Sequence, residues 1–227
     1  MEQTLNSDFR QRAVIDTERL DWIPSPSAGV LRRMLDRVGG EVARATTIVQ
    51  YAPGSRFPAH RHDEGEEFLV LEGVFSDDDG DHPANTYVRN PRGSSHAPRT
   101  DGGCIIFVKL RQMVRDETRL VVDAAYDHGW KPTDTHGALR KLLYACPFAT
   151  EVVAIERLPA NYQGALETCP RGEELLVLDG SFSDEHGHYG QGTWVRNPPG
   201  FRRTFRSDGG ARYWVKRGHL TTGSSAE

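Results

Sequence analysis

The chain has 227 residues, of which 37% are hydrophobic and 26% charged, enough apolar material to fill one large β domain or two small ones. Its 32 acidic and 28 basic residues leave a formal net charge of −4 and are scattered along the chain, without the basic stripe that holds a phosphate backbone. This argues against direct nucleic-acid binding. No apolar run approaches the roughly 18 residues of a membrane span, and the opening MEQTLNSDFRQRAVID lacks the positive start and apolar centre of an export signal. Cys104, Cys146 and Cys169 are an odd number with no CxxC spacing, so neither a disulfide framework nor a zinc knuckle is implied. Cys104, inside CIIFVKL, reads as a small core residue rather than a nucleophile. A reducing, cytoplasmic setting is expected.

In chain order, residues 1–19 read as an N-terminal arm with at most one edge strand at Ala13-Val14-Ile15. The Pro/Ser/Gly-rich stretch from Asp21 to Gly29 is a connection, and VLRRMLDRVGGE predicts a hairpin around Gly39-Gly40. Alternating or apolar patches follow at 43–51, 67–74, 86–89 and 104–110, each bounded by Gly, Pro, Asn or Asp. Short strands at this cadence indicate an all-β sandwich or barrel. The acidic DDDGD run from Asp77 to Asp81 lacks the glutamate that closes an EF-hand and reads as a solvated hairpin tip.

The segment PAHRHDEGEE, Pro58 to Glu67, carries the chemistry. His60 and His62 are alternate residues, so on a strand both imidazoles leave one face. Glu66 follows, and the turn-like NPRGSSH delivers His96. Three imidazoles and a carboxylate suit zinc, iron, nickel or manganese. Glu67 could replace Glu66; alternation favours Glu66, whose parity matches the histidines, although Gly65 could break that register. His186 and His188 form a second H-x-H but fall on a predicted hairpin tip. His82, His128, His136 and His219 have no recognisable partners and read as surface or satisfied histidines.

The chain repeats itself. GEEFLVLEGVFSD from Gly65 recurs as GEELLVLDGSFSD from Gly172, an offset of 107 residues that also relates TYVRNPRG to TWVRNPPG. Upstream, Trp22 matches Trp130 and Gly29 matches Gly137 at an offset of 108, which places a one-residue gain near the Val38–Glu41 turn. The LVL centres are apolar on both faces of their strands, and Gly73 and Gly180 are expected to permit the turns that follow. The expected division is a 1–19 arm, a 20–111 metal-binding domain, a 112–128 linker with short helical content, a 129–218 metal-free domain, and a disordered 219–227 tail.

The order H-x-H-x3-E, then Gly73, then Pro91-Arg92-Gly93-Ser94-Ser95-His96 resembles the cupin superfamily. Two copies resemble a bicupin. The wording GEEFLVLEGVFSD and YVRNPRGSSH is similar to the ChrR-type cupin-like domain of anti-sigma factors. The resemblance implies two tandem jelly-roll barrels, with His60, His62, Glu66 and His96 as ligands to one divalent metal per chain, zinc first, with iron, nickel or manganese as alternatives. It also implies a regulatory or sensory role, in which a small molecule or oxidant acts at the metal and a partner protein reads the change. A homo-oligomer is compatible with this. The alternative is a metal-dependent iron dioxygenase acting on a small organic substrate, because six-coordinate iron with four protein ligands keeps two open positions whereas four-coordinate zinc keeps none. The family's anti-sigma factors bind sigma through a separate helical zinc domain marked by a CxxC pair; this chain has no CxxC, so the sigma-binding part is expected to be missing. At the 107-residue offset the ligands become Glu167, Cys169, Glu173 and Arg203. The second barrel is therefore expected to be metal-free, with Arg203 pointing inward and paired with Glu173, Glu167 or both in place of the ion.

Overall fold

The computed structural model describes residues 3–40, 42–113, 118–125, 128–133 and 136–220. Among these, everything regular is β-strand apart from a 3-10 turn at Thr17–Arg19, as the short, turn-bounded apolar runs predict. No helix among the described residues is long and apolar enough to cross a membrane. The chain divides into two compact units, one comprising Met1–Ser7 and Leu20–Ala125, the other Asp8–Arg19 and Tyr126–Glu227.

In the first unit the main sheet is antiparallel, in the order Gln3–Leu5, Val30–Gly39, Ala43–Tyr51, Cys104–Leu110, Glu66–Asp77, Thr86–Asn90, Leu120–Asp123. The second unit repeats it as Trp130–Pro132, Leu139–Ala145, Val152–Leu158, Ala211–Arg217, Glu173–Asp184, Thr193–Asn197, Ala13–Asp16. Each unit adds a small two-stranded sheet, His60–Arg61 with Ser95–His96 in the first and Glu167–Cys169 with Phe201–Arg203 in the second. Both are jelly-roll β units.

The hairpin expected around Gly39-Gly40 forms, with Gly39 opposite Ala43. The equivalent pair of strands in the second unit turns between Ala145 and Val152, so the extra residue of the first copy sits in this turn. RRML is strand, because Val30, Leu35 and their neighbours pack on a sheet whose partner lies beyond the turn. Phe68, Leu69 and Val70 are all buried, consistent with a central strand covered on both faces. Phe68, Val70, Val49, Ile106 and Val108 form the inner core of the first unit. Leu175, Val177, Tyr213 and Val215 do the same in the second.

Gly73 does not end its strand, as a turn would. It holds φ +71° in the middle of Glu66–Asp77, with the Gly103 carbonyl where a Cβ would sit. The strand bends there, leaves Cys104 and goes on to pair with Gly80–Pro83; only glycine fits so close a backbone approach. Gly180 meets the Gly210 carbonyl in the same way.

The ends of the chain and the middle stretch differ from a simple arm and linker. Gln3–Leu5 pairs with Val30–Gly39, and Ala13–Asp16 joins the second unit's sheet with Ala13 opposite Arg196. Among the described residues of 112–128 there is no helix; Leu120–Asp123 is a strand of the first unit's sheet, with Leu120 opposite Arg89. Those two registers are equivalent at the 107-residue offset. Each sequence copy therefore lends its leading strand to the sheet of the other unit. In the segment expected to be a tail, Leu220 is buried and His219 Nε2 lies 2.9 Å from Glu174 Oε1. Residues 221–227 lie outside the described residues.

Candidate metal centre

The small sheet of the first unit sets His96 directly opposite His60. The turn from Pro91 to Ser94 closes through Ser94 N–H donating to the Pro91 carbonyl (3.1 Å), and His62 N–H donates to the Ser94 carbonyl (2.9 Å). Two strand ends and one turn thus deliver three imidazoles, with ring centroids 4.6 to 5.0 Å apart. The long strand begins at Glu66 beneath them, and Glu66 Oε1 lies 3.6 Å from both His62 Nε2 and His96 Nε2. One donor atom from each of His60, His62, Glu66 and His96 falls within 4.8 Å of the others. His62, Glu66 and His96 are buried and His60 is exposed.

The choice between the two glutamates follows from strand parity. Glu66 shares its face with Phe68 and Val70, toward the inner core. Glu67 is on the other face, accepting hydrogen bonds from Tyr87 Oη and Arg89 Nη1, both at 2.6 Å. The positive φ of Gly65 lies ahead of the strand and leaves this alternation intact.

The donors fit a metal ion. His62 Nε2 and His96 Nε2 are buried without a hydrogen-bond partner, which is costly for polar atoms unless something takes their lone pairs. Their other nitrogens are engaged: His62 Nδ1 is 3.0 Å from Ser94 Oγ, and His96 Nδ1 is 3.3 Å from Asp77 Oδ2. Such contacts set the tautomer that leaves Nε2 free for an ion. Burial pushes the pKa of His62 down, against the charge of Glu66, which raises it; the neutral imidazole is the metal-binding form. Beside the cluster lies a cavity of about 510 Å³ whose lining includes Val30, Val49, Tyr51, Phe57 and Leu110.

Asp77 corrects the reading of DDDGD as solvated. Asp78, Asp79 and Asp81 are exposed, but Asp77 is buried and lies 3.1 Å from His82 Nε2 as well as beside His96. Burial works against its charge, yet contacts with His82, His96 and Arg119 hold its carboxyl well below the usual range. His82 is accordingly a satisfied histidine. Arg119 belongs to none of the ligand motifs. A signal for it does exist in the sequence: Arg119-Leu-Val-Val-Asp123 repeats Arg12-Ala-Val-Ile-Asp16 at the 107-residue offset. His186 and His188 are exposed on their hairpin.

In the second unit Arg203 stands opposite Glu167, as His96 stands opposite His60. Its Nε and Nη2 donate to the two oxygens of Glu173 at 2.8 and 3.0 Å, and its Nη1 lies 3.2 Å from Glu167 Oε2. The expected inward pairing with both glutamates is present. Cys169, in the place of His62, is pushed up to about 12 by burial first and by the charge of Glu173 next, so it is a thiol rather than a thiolate. Where the first unit has Val49, Ile106 and Leu110, the second has Glu156, Tyr213 and Arg217. Glu156 accepts from Tyr213 Oη at 2.6 Å and from Arg217 Nη1 and Nη2 at 2.5 and 3.0 Å.

Burial raises the pKa of Glu156, but Arg217 and Arg140 outweigh it and bring it down from 4.5 to about 2. A carboxylate with a depressed folded pKa contributes stability that is present above its unfolded pKa and lost as pH falls toward the folded one. The second unit should therefore lose stability between about pH 5 and pH 2, by roughly 3 kcal/mol from this group. Urea midpoints measured across that range should fall steeply for the natural chain and less so for Glu156→Gln.

The family model described as the ChrR cupin-like domain matches residues 10–114 and again 117–221. No curated protein matches the chain in a sequence search. Among solved structures, a proposed dioxygenase of Nostoc punctiforme aligns with a TM-score of 0.76 at 16% identity, over 98% of this chain and 89% of that one. The Escherichia coli protein YlbA aligns at 0.70 and 13%, over 96% and 95%. The E. coli pirin YhhW, solved in complex with nickel(II), aligns at 0.67 and 10%, over 93% and 100%. At these identities the likeness concerns the fold, a tandem pair of cupin barrels.

Proposed function

Because the chain belongs to the ChrR cupin-like domain family through both of its repeats, we propose that it is a metal-binding regulatory or sensory protein. His60, His62, Glu66 and His96 hold one divalent ion, zinc; a small molecule or oxidant acts there; and a regulatory protein partner in the cytoplasm reads the change. The observation that carries this reading is the convergence of two buried, partnerless Nε2 atoms on Glu66. An ion held there supplies a Lewis-acidic centre and, where it is iron, one-electron chemistry with dioxygen. The four donors are not held alike. His62 and His96 are buried, with backing contacts to Ser94 Oγ and Asp77 Oδ2. His60 is exposed, and its Nδ1 has the Pro58 carbonyl at 3.3 Å. His60 would thus be the donor most accessible to an incoming molecule.

A second reading, an iron-dependent dioxygenase, is favoured by the apolar side chains that form part of the wall of the adjoining cavity, which would take the apolar body of a small organic substrate. The description of the Nostoc punctiforme protein points the same way. The two readings separate on metal content. Protein purified without added metal or chelating resin should carry close to one zinc per chain, released by peroxide or singlet oxygen and detected with a chromogenic chelator. Iron in its place, with oxygen uptake on a diketone or aromatic substrate after anaerobic Fe(II) loading, would replace the sensor with the oxygenase. A chain that binds neither metal would overturn both.

A further inference from the structure

We infer that Arg119 is a positioning residue for the metal set, so that a side chain from the second sequence copy completes the site of the first unit. Arg119 immediately precedes the strand Leu120–Asp123, which pairs with Thr86–Asn90. Its family match is to the second copy, 117–221, whereas the proposed ligands lie in the first. From there one guanidinium reaches the groups behind two of the four donors. Its Nη2 donates to Asp77 Oδ2 at 2.7 Å, and that same oxygen is 3.3 Å from His96 Nδ1. Its Nε donates to Asn90 Oδ1 at 3.0 Å, and Asn90 Nδ2 donates to Glu66 Oε1 at 3.1 Å. Its Nη1 also pairs with Asp79.

Each arm has a physical consequence. An imidazole that offers Nε2 to an ion carries its proton on Nδ1 and needs an acceptor there. Asp77, buried at 1% exposure, supplies one only while its carboxylate is aimed at that nitrogen, and Arg119, donating to the same Oδ2, aims it. On the other arm, donation to Oδ1 fixes which way the Asn90 amide faces, so that its NH₂ is turned to Glu66. A planar fork of donors serves both arms at once, which a lysine ammonium on a flexible stem does not.

The second unit provides an internal control. Arg12, the equivalent residue, donates to Asn197 Oδ1 at 2.8 Å, and Asn197 donates to Glu173 at 2.9 Å. The asparagine arm is therefore common to both units and belongs to the fold. The aspartate arm differs: Arg12 Nη2 lies 3.7 Å from Asp184, which accepts from Tyr189, while Arg203 occupies the place of His96. Only in the first unit does this arginine back an imidazole.

The inference rests on the metal reading above, and its test separates the two. Full-length chains carrying Arg119→Met, Arg12→Met or Asp77→Asn would be compared with the natural chain for Zn(II) affinity by chelator competition, and for the visible spectrum of the Co(II) form. Arg119→Met and Asp77→Asn should weaken Zn(II) roughly 10- to 100-fold and shift the Co(II) bands. Arg12→Met should leave both unchanged, though it costs the metal-free chain a comparable amount of thermal stability. Arg119→Lys should recover only part of the loss. If the natural chain binds Zn(II) and Arg119→Met binds it equally well, or if Arg12→Met weakens it as much, the positioning role is overturned and the metal reading stands. If the natural chain binds neither ion, both fall. Asp77→Asn keeps its shape and carries the test should Arg119→Met fail to fold.

Discussion

Arg203→Ala is expected to destabilise the second unit by about 3 kcal/mol, and Arg203→Met made together with Glu173→Gln by clearly less. Arg203 is 1% exposed and Glu173 is fully buried. The guanidinium makes a two-pronged contact with that carboxylate and lies 3.6 Å from the Phe205 ring centroid. Burial raises the pKa of Glu173, but Arg203 and then Arg217 outweigh it and hold the group ionised far below the usual range. Truncating Arg203 leaves this charge with Arg217 Nε at 3.2 Å and Asn197, so compensation is incomplete, which sets the loss at the lower end for a broken buried pair. The double change removes both charges together, and Arg217 retains Glu156. Three of the four tryptophans, Trp130, Trp194 and Trp214, lie in the second unit, so tryptophan emission in urea reports chiefly on it. A single substitution no more harmful than the double would sink the idea that a fixed cation stands where the other unit presents a histidine.

His62→Ala should reduce bound metal from near one per chain to near zero, and with it the thermal shift that added Zn(II) gives the natural chain. That shift should correspond to about 2.7 kcal/mol at a free-metal concentration 100 times the dissociation constant. His62 is the donor least able to be spared, being buried, held by the Ser94 carbonyl and Ser94 Oγ, and set beside both Glu66 and His96. Because the corresponding positions of the second unit are Glu167, Cys169, Glu173 and Arg203, a measured stoichiometry near two, or retention of metal by the alanine variant, would contradict the assignment.

Several features are properties of the sequence alone. The all-β class follows from short apolar runs between turn residues, and the duplication from self-similarity at 107 residues. The four candidate donors follow from H-x-H spacing, one carboxylate and one turn-borne histidine, and the 107-residue offset puts Arg203 where the first copy has His96. These were legible because each depends on residue type and on neighbours a few positions away. What the tertiary structure decided depends on registers between strands far apart in the chain. Glu66 is separated from Glu67 by the face that Phe68 and Val70 turn to the core. Gly73 is a bend at positive φ in a continuous strand, where the Gly103 carbonyl takes the space a Cβ would need. Asp77 looks like one of four hairpin aspartates until the bend carries it under His96. Arg119 lies outside the H-x-H and turn motifs, and although its segment repeats that of Arg12, it is the pairing of Leu120 with Arg89 that brings it to Asp77 and Asn90. A local pattern specifies which side chains are available, whereas the backing of a ligand is set by backbone pairing across tens of residues, which no local periodicity encodes.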